Sequence, residues 1–378
     1  MQNSVFEIAD VIKRFGPQYI AQYKPNAFIL RTLDALTKCR TAALGGHKQK
    51  CDCCGKELIS YNSCRNRNCP KCQATRQAFW AEDRLRQALP VKHFHMVFTV
   101  PDIINEICLL DSPGFYTTLF KCVWDTLRTF GYSHYGVESG AICVLHTWGQ
   151  NLSLHPHIHC IVPAAGIDLK GKFKNIGNNG KYLYPVHMLS ATFKGKILQS
   201  LKAKLRYNGL LSRYQSLIDA LYKKQWVVDC EASFASPVHI VKYLAQYTHR
   251  IAISNQRLMN VDPSGITFMH KDYKDGGRKK PITMHPVEFL RRFCMHILPL
   301  RFVKIRYYDM YATKNKAMLP GADKITIRPE ETNQQRLLRL TGFDICLCPY
   351  CKKGRLVTIE MLPRIRAPAS VVYTSATF

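Results

Sequence analysis

The stretch Leu154-His155-Pro156-His157-Ile158-His159-Cys160-Ile161-Val162 decides how this chain folds. Leu154, Ile158, Ile161 and Val162 are apolar or β-branched and Pro163 closes the run, so the segment reads as a buried strand. Side chains two apart on a strand share a face, which sets His157 and His159 side by side, spaced to hold one metal ion. A lone histidine on an apolar strand is ordinarily a satisfied core residue. Three alternating histidines in mid-sheet point instead to a ligand set, because imidazoles buried without a metal leave polar atoms to satisfy.

Working outward, Ala141–Trp148 reads as the preceding strand, joined to the histidine strand by a turn around Gly149-Gln150-Asn151. His146 lies eleven residues before His157. Across an antiparallel pair it comes near the other two, either as a third ligand or as a core imidazole stacked on Trp148. Phe94–Val100, stopped by Pro101, reads as a central strand, with further strands at 226–230, 266–268 and 302–308. Helices are expected at about 73–89, 113–130, 189–207, onward to 224, and 286–296, with a basic hairpin or loop over 167–184. Apolar spacing from Ser4 to Cys39 gives two short helices, split near Pro17 and Pro25.

A further helix starts at Ser236, a good N-cap, with Pro237 suited to its first position. Ile240, Val241 and Leu244 form its apolar face, while His239, Tyr243, Gln246, Tyr247 and Arg250 share another. Tyrosines at this spacing are ordinarily half-buried packing residues; beside a histidine strand they become a candidate chemical surface.

Cys51 and Cys54 make one C-x2-C turn and Cys69 and Cys72 a second, with 14 residues between the two turns. Four thiolates close a tetrahedral zinc site, and the polar segment between them cannot form a core without metal. His47, Cys53 and Cys64 are surplus, so the ligand set and the number of ions stay open. Near the C-terminus, Cys348 and Cys351 supply one more knuckle, half a zinc site with no evident partner.

The 378 residues carry 54 basic against 26 acidic side chains, a formal charge of +28, which makes a polyanion the expected partner. Arg65 and Arg67 in the cysteine loop, Arg291 and Arg292, and Lys304 and Arg306 among aromatics at 302–308 are candidate DNA contacts, as is Arg250. A solvated loop or a half-buried edge strand would account for the same residues. No apolar run approaches the roughly 20 residues that span a bilayer, and Met1–Glu7 has no signal-peptide pattern. A reducing bacterial cytoplasm, with nucleoid association, is the expected location, and the 16 cysteines then read as ligands and buried thiols.

Several of these segments together resemble a known family. Asn62-Ser63-Cys64-Arg65 with Cys69-Pro70-Lys71-Cys72, Leu145-His146-Thr147-Trp148-Gly149, His155-Pro156-His157-Ile158-His159, and the run from Tyr243 to Asn255 resemble the two-tyrosine rolling-circle transposases of the insertion-sequence 91 family, within the HUH endonuclease superfamily. The likeness runs from about Gly45 to Tyr311, although the family often has histidine where this chain has Asn68. It implies an α+β fold, an antiparallel ferredoxin- or RRM-like sheet with flanking helices behind a small zinc-ribbon-like module. The expected division is 1–90, 91–310 and 311–378. It implies Mg2+ or Mn2+ at His157, His159 and His146, with His155 or Gln246 as alternative third ligands, and Zn2+ at the cysteines. Tyr243 and Tyr247 would be nucleophiles, forming a 5′-phosphotyrosine link on single-stranded or hairpin transposon ends without ATP. A relaxase or replication-initiator nickase would share this chemistry, but no Walker-type loop for a helicase is visible. A non-catalytic zinc-dependent nucleic-acid-binding protein is the reading from another class. A thiol redox protein using Cys69 and Cys72 is disfavoured, because paired knuckles favour zinc.

Overall fold

The computed structural model describes residues 5–85, 89, 91–176, 183–231, 251–272, 275–312, 315 and 330–365. The chain opens with α1 (Ile8–Tyr23) and α2 (Ala27–Lys38), the latter capped by Asn26, whose side chain accepts from the N–H groups of Phe28 and Ile29. Contrary to expectation, α1 runs straight through Pro17 and ends at Lys24, which is in the left-handed conformation. Pro17 faces water, so the backbone bond it forgoes leaves a carbonyl that solvent can satisfy; only Pro25 marks a break.

A hairpin of β1 (Gly46–Cys51) and β2 (Glu57–Tyr61) follows, then α3 (Gln73–Leu85) and β3 (His93–Thr99). After α4 (Asn105–Leu110), α5 (Ser112–Tyr135) is held between an Asp111 cap and Gly136 in the left-handed conformation. Next come β4 (Val137–Glu138), β5 (Ala141–Trp148), β6 (Leu154–Pro163), and a hairpin of β7 (Ala165–Asp168) and β8 (Phe173–Asn175). The helices α6 (Val186–Tyr207) and α7 (Leu211–Lys223) lead into β9 (Val227–Glu231).

The central sheet is antiparallel throughout, in the order β13-β5-β6-β3-β9, where β13 is Ile305–Tyr308. Period-two alternation divides it into two chemically distinct faces. Phe94, Met96, Phe98, Cys143, Leu145, Ile158, Cys160 and Val162 are buried against α5 and α6 through Leu119, Phe120, Val123, Phe193, Ile197 and Leu201. The opposite face carries the histidines. The strand expected over 302–308 pairs only from Ile305, since the chain is still turning at Arg301, whose φ is 62°.

A second core joins α1 and α2 to a meander of β10 (Leu258–Asp262), β11 (Gly265–Asp272) and β12 (Arg278–Met284) and to the helix Pro286–Met295. Val11, Phe15, Leu33 and Leu36 meet Ile266, Phe268, Phe289 and Phe293 there. Finally β14 (Leu356–Leu362) pairs with β1, giving a sheet of order β14-β1-β2, so part of the C-terminal region is built into the N-terminal hairpin. Among the described residues no helix is long and apolar enough to cross a membrane. The architecture is α+β with antiparallel sheets, as the sequence implied.

Candidate metal centre and nucleic-acid interface

His146 on β5 stands directly opposite His157 on β6, and His159 follows on the same face. One ring nitrogen from each lies within 4.8 Å of the others. His157 is oriented by its own backbone: Nδ1 is 2.7 Å from the His155 carbonyl, which only an N–H can satisfy, leaving Nε2 with its lone pair. Burial pushes His157 down to about 4, so the ring is neutral at physiological pH, the form that ligates. A register shift between His146 and Trp148 leaves an extra residue on β6 around Pro156, which has no N–H to give the ladder. His146 is also stacked on Trp148, ring centroids 4.7 Å apart and planes 21° from parallel. His146 is thus stacked on Trp148 and within ligand reach of the other two at once. Three imidazoles converging in a buried patch fit a divalent ion with coordination positions left for substrate oxygens. His155 remains adjacent to His157, with ring centroids 5.0 Å apart.

Sequence reasoning missed His95, which lies on β3 with its Nε2 2.9 Å from His159 Nδ1 and its Nδ1 3.0 Å from Glu231 Oε2 on β9. The alternation His93-Phe94-His95 was a legible signal. His93, however, bonds Tyr311 and the Val91 carbonyl, so the pattern by itself does not mark which of the two matters.

Beyond Trp148 opens a cavity of about 160 Å³, lined by Arg67, Asn68, Gln73, Arg76, Lys304 and the indole itself. Among its described lining residues there is no carboxylate. Lys304 Nζ sits 5.0 Å above the Trp148 ring, and burial, aided by Arg67, lowers its amine to about 7.

The cysteines pair differently from the expected set of Cys51, Cys54, Cys69 and Cys72. Cys69 and Cys72 cluster with Cys39 and Cys64; Cys51 and Cys54 cluster with Cys348 and Cys351. Sulfur separations of 3.5 Å (Cys39–Cys72), 3.8 Å (Cys64–Cys72) and 3.7 Å (Cys51–Cys351 and Cys54–Cys348) match the edge of a tetrahedron with 2.3 Å bonds, about 3.8 Å. They are far too long for disulfides, at about 2.05 Å. The physical reason is that β1 carries Cys51 alongside β14, while the loop after β2 returns to the end of α2. Gly354 seals the second cluster: a Cβ there would stand 2.5 Å from both Cys51 Sγ and Cys53 Cβ. Both clusters therefore fit zinc. His47 is outside them, its ring nitrogen on Met361, and Cys53 is an exposed thiol beside the second.

Of the candidate DNA contacts, Arg65 is exposed beside the first cluster and Lys304 lines the cavity. Arg67 lines it too, but its guanidinium donates to the carbonyls of Leu298, Pro299 and Phe302, clamping that loop. Arg291 and Arg292 share Glu288, and Arg306 lies over Phe120 on the opposite face of the sheet from the histidines. These three are thus engaged within the protein. Tyr243, Gln246, Tyr247 and Arg250 lie outside the described residues.

Over residues 140–317 the chain matches the family model described as "Putative transposase" (Y2_Tnp). Over residues 11–100 it matches the one described as "Transposase zinc-binding domain" (Zn_Tnp_IS91). It is 37% identical to "Putative transposase y4qJ" of Sinorhizobium fredii, across 97% of this chain and 98% of that protein. It is 26% identical to "Transposase for insertion sequence element IS801" of Pseudomonas savastanoi pv. phaseolicola, across 75% of this chain and 70% of that one. No solved structure matches it. With one relative aligned along almost its whole length, and the two models falling on the histidine strands and on the cysteine hairpin, the chain belongs to the insertion-sequence 91 family of transposases.

Proposed function

We propose that this transposase cuts and rejoins single-stranded DNA at transposon ends through a covalent phosphotyrosine link, assisted by a divalent ion. The convergence of His146, His157 and His159 beside a cation-lined cavity carries the reading. Those three histidines would hold Mn2+ or Mg2+, which when bound polarises the scissile phosphate and stabilises charge on the leaving oxygen. Imidazole donors favour Mn2+ of the two, since Mg2+ prefers oxygen ligands.

Trp148 offers a ring face on which a base can stack, and Lys304 and Arg76 offer charge for the adjoining backbone. A phenolate of Tyr243 or Tyr247 attacks phosphorus; the bond from phosphorus to the 3′-oxygen breaks, and that oxygen leaves with a proton as a hydroxyl. The 5′-phosphate stays on the tyrosine, conserving the bond so that rejoining needs no ATP. The second tyrosine permits another cleavage while the first link persists.

The test is a labelled single-stranded oligonucleotide from the element's own end, incubated with Mn2+ or with EDTA and resolved by denaturing electrophoresis. A metal-dependent covalent band is expected, lost in Tyr243→Phe, in Tyr247→Phe or in both. Tight binding with no covalent band on any end-derived strand would replace this reading with a purely DNA-binding one.

A further inference from the structure

We propose that Glu231 and His95 act as a two-step positioning relay that holds His159 in the tautomer and orientation needed to ligate the ion. The inference rests on the reading of His146, His157 and His159 as ligands. Glu231 stands directly across from His95 in the β3–β9 pairing, and His95 reaches diagonally to His159 on β6. The three groups thus continue the histidine row across four adjacent strands of the sheet, β5 to β9.

The direction of each hydrogen bond follows from the carboxylate. An ionised carboxylate only accepts, so the 3.0 Å contact requires the His95 proton on Nδ1. A neutral imidazole carries one N–H, so His95 Nε2 is an acceptor. The 2.9 Å contact then places the His159 proton on Nδ1 and its lone pair on Nε2. The His95 and His159 rings lie 6° from parallel with centroids 5.2 Å apart, and His95 is 2% exposed, so neither ring has room to turn. Glu231, at 44% exposed, carries its charge at the edge of the row rather than within it. His157 reaches the same state by a shorter route, through the carbonyl of His155. A ligating histidine fixed by a carboxylate is a recurrent device; here a second imidazole stands between them.

The experiment is a Mn2+ titration of the full-length, zinc-loaded protein, followed by the electron paramagnetic resonance of free Mn2+. Thiolate clusters select zinc, so Mn2+ reports the histidines. The variants are His95→Phe, which removes the relay, His95→Gln, whose amide oxygen can still accept from His159, and Glu231→Ala, which removes the acceptor for His95; His157→Ala marks the site. Zinc content and the thermal midpoint check folding. The relay requires His95→Phe to weaken Mn2+ by about 10–100-fold, Glu231→Ala to weaken it in the same direction, and His95→Gln to recover part of the loss. Should His95→Phe lose its zinc, Glu231→Ala decides alone. Wild-type affinity in the His95 and Glu231 variants, alongside loss in His157→Ala, would overturn the relay and leave the ligand set standing. Mn2+ binding insensitive to His157→Ala would overturn both.

Discussion

Lys304 shows how one residue couples stability to function. Its amine is lowered to about 7, chiefly by burial, from an ordinary value of about 10.4. Below pH 7 it is charged in both folded and unfolded chains, and the cost of its burial is fully present. Between about pH 7 and 10.4 only the unfolded chain binds that proton, so stability rises with pH through this window. Lys304→Met should therefore raise the thermal midpoint most at pH 6, with the difference closing toward pH 10. The same variant should weaken oligonucleotide binding most at pH 6, measured by fluorescence anisotropy. An unchanged affinity at pH 6 would remove Lys304 from the DNA path.

At the scale of elements, each cysteine cluster depends on knuckles that hold their sulfurs by geometry. Gly354 N–H lies 3.3 Å from Cys351 Sγ, and Asp52 and Arg355 exchange backbone and side-chain bonds across the two knuckles. Gly354→Ala forces a Cβ against Cys51, so the purified variant should carry one zinc per chain where the wild type carries two, by mass spectrometry of metal content. The elements with strong periodicity were legible: β3, β5 and β6, α5, α6 and the helix from Pro286 all lie close to where the apolar pattern puts them. So was the convergence of His157 with His159 and His146. What escaped was non-local. Cys39 ends a helix and has no C-x2-C partner, and Cys348 sits 294 residues from Cys54, so spacing alone paired the wrong knuckles. The strands β10 and β12 escaped because β10 sets a single buried valine, Val261, between Asn260 and Asp262, and β12 opens on the basic run Arg278 to Lys280, so neither shows a sustained apolar alternation. Glu231 was invisible for the same reason as Cys39: only the sheet brings it to His95.

For the whole molecule the excess of positive charge, +28, dominates the encounter with DNA. Each phosphate neutralised on a single strand should contribute about −0.7 to the slope of log affinity against log salt. Binding through the cavity and the exposed Arg65 loop together should give a slope of roughly −3 or steeper by anisotropy at several salt concentrations. A slope near −1 would mean that the charge is distributed over surfaces the strand never touches.

The ribbon of β1, β2 and β14 also carries a consequence for how the molecule is made. Cys51 and Cys54 leave the ribosome early, whereas Cys348 and Cys351 follow only after the central sheet has been synthesised. At about 5–20 residues per second, the separation of 294 residues amounts to roughly 15–60 s. For that interval the first knuckle is a bare dithiol, and the site closes only once the second knuckle has followed the central sheet out of the ribosome. A chain terminated anywhere between the two knuckles is thus left with an open pair of thiols, and a closed ribbon certifies that synthesis has passed the central sheet.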